Sequence, residues 1–190
     1  MAKDRLDGQC IVIGGSAGSL KIILYILSHL KQGFSIPIII VLHRKSDAES
    51  TLTDVLNNST HLKVKEAEDK EQIAPEIVYL APADYHLLVE REHTFSLDAS
   101  EKVNFSRPSI DVTFQTAAEA YGPGLIAIIL SGANDDGTDG LKSVRKKKGI
   151  TLAQDPKTAS MYVMPQSAIN HGLVDHVLPA NEIAEFLNRI

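Results

Sequence analysis

The chain alternates short runs of β-branched and aliphatic residues with longer segments in which apolar residues recur at helical spacing. Residues 10–13, 38–42 and 125–130 are runs of this kind, and none of them has a polar face. Such runs are typical of parallel strands that are buried on both faces and joined by crossover helices. The alternation therefore predicts an α/β fold with a doubly wound, mostly parallel sheet flanked by helices.

The remaining elements follow from the same periodicities. Strands are expected at residues 62–66, 150–153 and 173–177. Helices are expected at residues 20–30, 52–56, 112–120 (after Pro108) and 141–147, and a final one from an N-cap at Asn181.

The helical period is interrupted between residues 77 and 97. Three strand-like runs, at residues 77–80, 86–89 and 94–97, follow one another closely. Connections this short favour hairpins over helical crossovers. We expect an antiparallel hairpin patch in this region, beside the parallel sheet.

Length and charge limit the class of protein. The 190 residues fit a single domain covering residues 1–190. The formal net charge of −5 argues against a dedicated nucleic-acid binder, which would show a basic face. The single cysteine, Cys10, excludes an internal disulfide framework and fits a reducing compartment. Without an apolar run long enough for a signal peptide or a spanning helix, we expect a cytoplasmic protein that does not insert into membranes.

Residues 14–19 lie between the first strand and the first helix and match G-x-S-x-G, with Ser16 at the centre. In this motif, small neighbours permit a sharp turn that exposes the serine hydroxyl as a nucleophile. Glycines at a helix start also bind phosphate, and a plain structural turn is a third interpretation. The motif alone does not decide between a nucleophile, a phosphate-binding turn and a structural turn.

Two further loops belong to the same edge of the predicted sheet. His43 ends the second strand, where a structural histidine and a general base are both reasonable interpretations. Residues 131–140 follow the most apolar strand and are rich in Gly and Asp. The glycine and glutamate of an EF-hand are missing, so the acidic side chains are expected either to cap the next helix or to orient His43.

Seven motifs, in order, resemble the catalytic domain of the CheB family of chemotaxis receptor methylesterases. The resemblance covers nearly the whole chain from residue 11. The motifs are IGGSAG (13–18), LH (42–43), KEAED (65–69), VYLAP (78–82), RPSID (107–111), LSGANDDG (130–137) and VMP (163–165).

The resemblance implies a Ser-His-Asp triad at Ser16, His43 and Asp136, with Asp136 favoured over Asp135 because it directly precedes the glycine. It implies hydrolysis of glutamyl methyl esters, and deamidation of certain glutamines, on the cytoplasmic helices of methyl-accepting chemotaxis receptors. We expect the backbone N–H groups of Ala17 and Ala133 to stabilise the oxyanion. Neither a metal nor an organic cofactor is expected.

The chain departs from the family pattern beside these positions. Arg44 follows the histidine, where it is a candidate contact for an acidic substrate surface. The departures leave one alternative, a receptor-binding or signalling module of the same fold with weakened catalysis. A second and less favoured alternative, a nucleotide-binding Rossmann-type domain, would bind a nucleotide in the turn at residues 14–19. The substituted positions are Ala17, Ser19, Arg44, Ala133 and Asn134.

Relatives in the family commonly carry an N-terminal receiver domain, and the first predicted strand begins near Cys10. We therefore expect no receiver domain, and regulation by a separate regulatory or receiver protein. Two other polar features receive structural interpretations. Arg107 and Asp111 are expected to form a surface pair, and His86 is expected in a loop.

Overall fold

The computed structural model describes residues 8–43 and 49–190, without the side chains of Glu49 and Ser50. Seven of its strands form one sheet in the order β3-β4-β2-β1-β7-β8-β9, and every neighbouring pair is parallel. The predicted mostly parallel sheet is confirmed. In chain order the strands are β1 (Cys10–Gly15), β2 (Ile38–Leu42), β3 (Lys63–Glu66), β4 (Ile77–Leu80), β5 (His86–Val89), β6 (Phe95–Asp98), β7 (Leu125–Ile129), β8 (Ile150–Gln154) and β9 (His176–Leu178).

Helices cover both faces of this sheet, as the doubly wound prediction requires. The helices α3, α4 and α5 pack on one face, while α1, α2 and α6 pack on the other. Two short 3₁₀ turns, Gly122–Gly124 and Pro156–Thr158, complete the described elements. The helices are α1 (Leu20–Ser28), α2 (Glu49–Asn57), α3 (Ile110–Tyr121), α4 (Thr138–Lys146), α5 (Val163–Asn170) and α6 (Ala180–Arg189).

The strand β1 illustrates why the central runs are continuously apolar. Its side chains alternate, so that Cys10 and Val12 belong to the layer of α3 while Ile11 and Ile13 belong to the layer of α1. All four are fully buried. Because both faces are covered, no position on the strand is left for a polar side chain.

The antiparallel patch is smaller than predicted. Only β5 and β6 pair antiparallel, and they form a separate two-stranded sheet. The run at Ile77–Leu80 is instead a parallel strand of the main sheet, between β2 and β3. The prediction for this run was wrong because residues 67–76 connect β3 to β4 without a helix, which removes the usual signal of a parallel crossover.

Two further differences concern helices. The helix α5 was not predicted, because its eight residues give little periodic signal. The helix α6 has Pro179 at its N-cap, so Asn181 lies in the first turn and the predicted N-cap was wrong. In the described part of the chain, no helix is long and apolar enough to span a membrane.

Candidate active site

The chain brings Ser16 and His43 side by side at the carboxyl edge of the sheet. Gly15, the last residue of β1, pairs with Leu42, the last residue of β2. Ser16 and His43 each follow directly, and the His43 N–H lies 3.3 Å from the Gly15 carbonyl oxygen. The strand β7 pairs on the other side of β1, where the order of the sheet reverses. Crevices at such reversal points are the usual ligand sites of open α/β sheets.

The backbone of Ser16 is held on both sides. Its N–H donates to the Ser131 carbonyl at 2.9 Å, and its carbonyl accepts from the Ser19 hydroxyl at 2.7 Å. The sharp turn depends on Gly18, whose φ of +83° falls in the left-handed region. A Cβ at Gly18 would also lie 2.6 Å from that of Ser160. The turn therefore fixes Ser16, which is partly buried, with the strained conformation placed on a glycine.

Asp136 is fully buried and its carboxylate is saturated with donors. His43 Nε2 lies 2.7 Å from Oδ2, and the Ile110 N–H donates to the same oxygen at 2.7 Å. The Ser109 hydroxyl at 2.9 Å and the Asp111 N–H at 3.1 Å donate to Oδ1. Burial by itself would raise the pKa of Asp136, but the hydrogen bonds from His43 and the two N–H groups outweigh it and lower the pKa. The carboxylate is therefore ionised at neutral pH.

An ionised Asp136 determines which nitrogen of His43 carries the proton. The carboxylate accepts a hydrogen bond from Nε2–H, so the proton of the neutral ring is on Nε2 and the Nδ1 lone pair is directed away from Asp136. The Ser106 hydroxyl lies 3.3 Å from Nδ1. In its neutral form, His43 therefore has its basic nitrogen, Nδ1, on the side of Ser106, and the neutral form is the one that a general base requires.

Asp111 was expected on the surface, and that expectation was wrong. It is only 4% exposed, and its Oδ1 accepts N–H bonds from Gly137 at 2.9 Å and Gly140 at 2.6 Å. Asn104 Nδ2 donates to the other oxygen at 2.7 Å. Asp136 caps the start of α3, the helix that bears Asp111, and Asp111 caps the start of α4, the helix that begins two residues after Asp136. Burial raises the pKa of Asp111 to about 7, and the nearby charge of Asp136 adds to that rise, although the Gly140 N–H opposes it.

Arg107 does not pair with Asp111. Its Nη1 donates instead to the carbonyl oxygens of residues 99 and 100, at 2.7 and 2.6 Å. The expected pair fails because Asp111 turns inward toward the N-terminus of α4, where backbone donors satisfy it.

His86 is part of the support rather than a loop residue. It begins β5, is 1% exposed, and accepts the Ser109 N–H on Nδ1 at 3.2 Å. Nε2 therefore carries the proton and donates to the Glu101 carbonyl at 2.9 Å. This bond holds Ser109, which in turn donates to Asp136.

The two predicted oxyanion donors are both exposed. Ala17 lies in the turn after Ser16, and Ala133 lies in the loop after β7. Within residues 8–43 and 49–190, neither N–H has a hydrogen-bond acceptor, whereas the N–H of Gly132, the residue before Ala133, is bonded to the Met161 carbonyl at 3.0 Å. Both amides are available to an incoming oxygen, and their role stays a prediction. Arg44 lies outside the described residues.

Sequence reasoning missed a serine that ties the loops together. Buried Ser131 donates its hydroxyl hydrogen to the Ala17 carbonyl at 2.7 Å and accepts the Met161 N–H at 2.9 Å. It also missed Ser106 and Ser109. The RPSID motif that contains Ser109 was a signal for that position, but its contact with Asp136 joins residues 27 apart.

The structure also shows where Cys10 and Asp135 lie. The Cys10 thiol is buried in β1, and burial raises its pKa. Asp135 is exposed, and the carboxylate that reaches His43 belongs to Asp136. Among the described residues, no three His, Cys, Asp or Glu side chains converge in a way that could hold a metal ion.

A serine at the end of one strand, beside a strand whose following histidine is held by a buried carboxylate, at the reversal point of a doubly wound sheet, is typical of one class of protein, the serine hydrolases. The comparisons narrow this class. The CheB methylesterase family model matches residues 11–187, so the chain belongs to the CheB methylesterase family.

Individual relatives agree. The chain is 39% identical to the crystal structure of the Thermotoga maritima CheB methylesterase catalytic domain, with a TM-score of 0.91 over 96% of this chain and 98% of that one. It is 38% identical to the Thermotoga maritima protein-glutamate methylesterase/protein-glutamine glutaminase, matching 98% of this chain and 55% of that protein. A Leptospira interrogans relative is 47% identical, and the match covers 97% of this chain and 96% of the relative.

Proposed function

We propose that the protein hydrolyses glutamyl methyl esters on the cytoplasmic helices of chemoreceptors and deamidates glutamine side chains at the same site. The observation that carries the proposal is the 2.7 Å hydrogen bond between His43 Nε2 and buried Asp136. His43 follows β2, which pairs with β1, and Ser16 follows β1. The family and the names of its relatives supply the substrate class.

In the acylation step, His43 Nδ1 takes the proton of the Ser16 hydroxyl as Oγ attacks the ester carbonyl carbon. Asp136 stabilises the imidazolium that forms. The N–H groups of Ala17 and Ala133 donate to the oxyanion of the tetrahedral intermediate. Imidazolium then gives its proton to the departing methoxide, so methanol leaves and an ester between the glutamyl carbonyl and Ser16 remains.

In the deacylation step, His43 takes a proton from water, which attacks the same carbonyl carbon. The Ser16 oxygen leaves and recovers the proton from the imidazolium, and a free glutamate carboxylate is released. With a glutamine substrate the first leaving group is ammonia instead of methanol. His43 carries the proton in both steps, the carboxylic acid product then loses its own proton to solvent to become the carboxylate, and neither step consumes a cofactor.

The natural partner in this proposal is the methyl-accepting receptor, and a separate receiver protein is the proposed regulator. A protein that acts on cytoplasmic receptor helices works in the cytoplasm.

Two amide donors and one base suffice for turnover, because the substitutions at Ala17 and Ala133 leave their backbone N–H groups in place.

Methanol release from methylated receptor fragments tests the proposal. Wild-type protein releases methanol, and Ser16→Ala loses at least about 1,000-fold in rate because the nucleophile is gone. Ser28→Ala, which removes an exposed hydroxyl at the far end of α1, retains the wild-type rate. If wild-type protein binds the receptor without releasing methanol, the chain is a receptor-binding module instead.

A further inference from the structure

Residues 103–106 form a tight turn next to the candidate base. The N–H of Val103 and that of Ser106 each donate to the other residue's carbonyl, at 3.2 and 2.9 Å. The two central residues, Asn104 and Phe105, have φ values of +49° and +61°. Turns of this kind favour Asn followed by Gly, because the left-handed region penalises a bulky side chain. Phe105 is therefore an unfavourable residue for its own backbone.

The side chain of Phe105 does not contribute to the core either. It is 97% exposed, whereas the next most exposed large hydrophobic residue in the described ranges, Tyr162, is 61% exposed. Isolated exposed apolar residues are common on protein surfaces. A fully exposed phenylalanine at a left-handed position is different, since neither burial nor backbone preference accounts for it.

The turn is anchored on both sides of Phe105 by residues of the site. Asn104 Nδ2 donates to buried Asp111 at 2.7 Å, and the Ser106 hydroxyl lies 3.3 Å from His43 Nδ1. These bonds hold the turn, and with it the backbone of Phe105, in one place relative to the base. The ring borders an open depression of about 500 Å³ that is also lined by Lys102 and Asn104.

We propose that Phe105 is a specificity-determining residue, whose ring is buried against the apolar face of the substrate helix while His43 and Ser16 act on the ester. This inference rests on the proposed function. The apolar stripe of a surface helix packs inward, and its edge, beside the face that bears the glutamyl side chain, is the part that the ring contacts. The exposed ammonium of Lys102 lies in the same depression and suits the carboxylates of an acidic substrate.

Burial of a phenylalanine side chain gives an affinity gain of about tenfold or more. The gain appears only in the complex, because the free protein exposes the ring. Removal of the ring should therefore weaken substrate binding without weakening the fold. A residue with a purely structural role would show the opposite result.

Phe105→Gly is the main test variant, because glycine adopts the turn without strain. Phe105→Leu retains an apolar side chain, and Val177→Ala is a control that removes an exposed apolar side chain on the distant edge strand β9. Each protein is assayed for KM in methanol release from a methylated receptor fragment, for Kd of the same labelled fragment, and for thermal unfolding.

We expect Phe105→Gly to raise KM and Kd by about tenfold, with a melting temperature at or above that of the wild type. Phe105→Leu should lie within about threefold of the wild type, and Val177→Ala should match it. Equal KM and Kd for Phe105→Gly and wild type would overturn the inference and leave the proposed function intact.

The two proposals also fail separately in the other direction. If wild-type protein releases no methanol but binds the fragment, a weaker Kd for Phe105→Gly still supports the role of Phe105. If wild-type protein neither binds nor cleaves the fragment, both proposals are wrong.

Discussion

At the scale of single residues, two buried carboxylates determine the electrostatics of the site. Asp136 is held ionised by four donors, and Asp111 is packed beside it with two N–H groups on one oxygen. Because the negative charges of two neighbouring carboxylates repel each other, Asp111 and Asp136 are not readily ionised together. With a pKa of about 7, Asp111 is the carboxyl of the pair that binds a proton as the pH falls below neutral, and Asp136 keeps the charge that His43 needs.

Asp111 makes stability depend on pH. Its pKa in the folded protein is about 7, raised from 3.8 mainly by burial, so the folded state retains a proton that the unfolded state loses. The free energy of unfolding therefore falls as pH rises from about 4 to about 7, by at most about 1.4 kcal/mol per pH unit. Asp136, with a lowered pKa, has the opposite effect, since its contribution is lost only as pH falls below its ordinary range.

We predict that Asp111→Asn removes this pH dependence, because an amide still accepts from Gly137 and Gly140 but does not titrate. Urea unfolding at pH 5, 6 and 7 measures the slope. Asp135→Asn, at an exposed carboxyl in the loop before α4, should keep the wild-type slope. A slope in Asp111→Asn equal to that of the wild type would contradict the assignment.

Ser106 affects the base directly. When its hydroxyl donates to His43 Nδ1, it occupies the lone pair that must accept the proton of Ser16. We predict that Ser106→Ala increases the rate at which a fluorophosphonate probe labels Ser16 by about two- to fivefold, the effect of one weak hydrogen bond. Ser100→Ala, in the same exposed segment, is the control. Slower labelling would mean that Ser106 holds His43 in its productive orientation instead.

At the scale of elements, the close approach of α3 to β1 assembles the site. A Cβ on Gly14 would lie 2.4 Å from Cγ2 of Ile110, the first residue of α3. The N–H of Ile110 donates to Asp136, so the glycine permits the contact on which the carboxylate depends. Strand packing and catalytic geometry are coupled at this one position.

Gly14→Ala should therefore lower the free energy of unfolding by about 1–3 kcal/mol and slow methanol release, since α3 must move. In a double-mutant cycle with Ile110→Ala, the combined loss should be smaller than the sum, because the clashing methyl group is gone. Gly8→Ala is a suitable control, as nothing lies within 4 Å of its added Cβ. Additive losses would argue against this contact.

Some elements of this structure can be predicted from patterns in the sequence, and others cannot. The central strands are predictable because burial on both faces leaves an unbroken apolar run. The pairing of β4 is not, because its crossover from β3 has no helix, and α5 is too short to show a period. The proximity of Ser16 and His43 follows from adjacent strand ends. The roles of Ser106 and Asp111 depend on contacts between loops and helix ends distant in sequence, which no local pattern records.

At the scale of the whole molecule, the two layers of the core have separate tasks. The layer of α3, α4 and the hairpin supports the buried carboxylates, while α6 closes the opposite face against α1. Lys31 joins these last two elements, because its N–H donates to Asn188 Oδ1 at 2.8 Å. The net charge of −5 gives no long-range attraction to an acidic receptor, so approach must depend on local groups such as Lys102.

This separation predicts that Leu187→Ala affects stability alone. Leu187 is fully buried in α6, and loss of its side chain should cost about 2–5 kcal/mol in the free energy of unfolding. At temperatures where the variant remains folded, its rate of methanol release should stay within about twofold of the wild type. Denaturant melts and rate measurements on the same samples check both parts. A large loss of rate in folded protein would show that the two layers are coupled.

We propose that His43, held by Asp136, activates Ser16. Fluorophosphonate labelling tests it most directly, with the modified residue located by peptide mass spectrometry. We predict labelling at Ser16 in the wild type and labelling at least about 100-fold slower in His43→Ala, the usual contribution of a general base. Equal labelling of the two proteins, or modification of Ser106 in place of Ser16, would show that His43 does not activate Ser16.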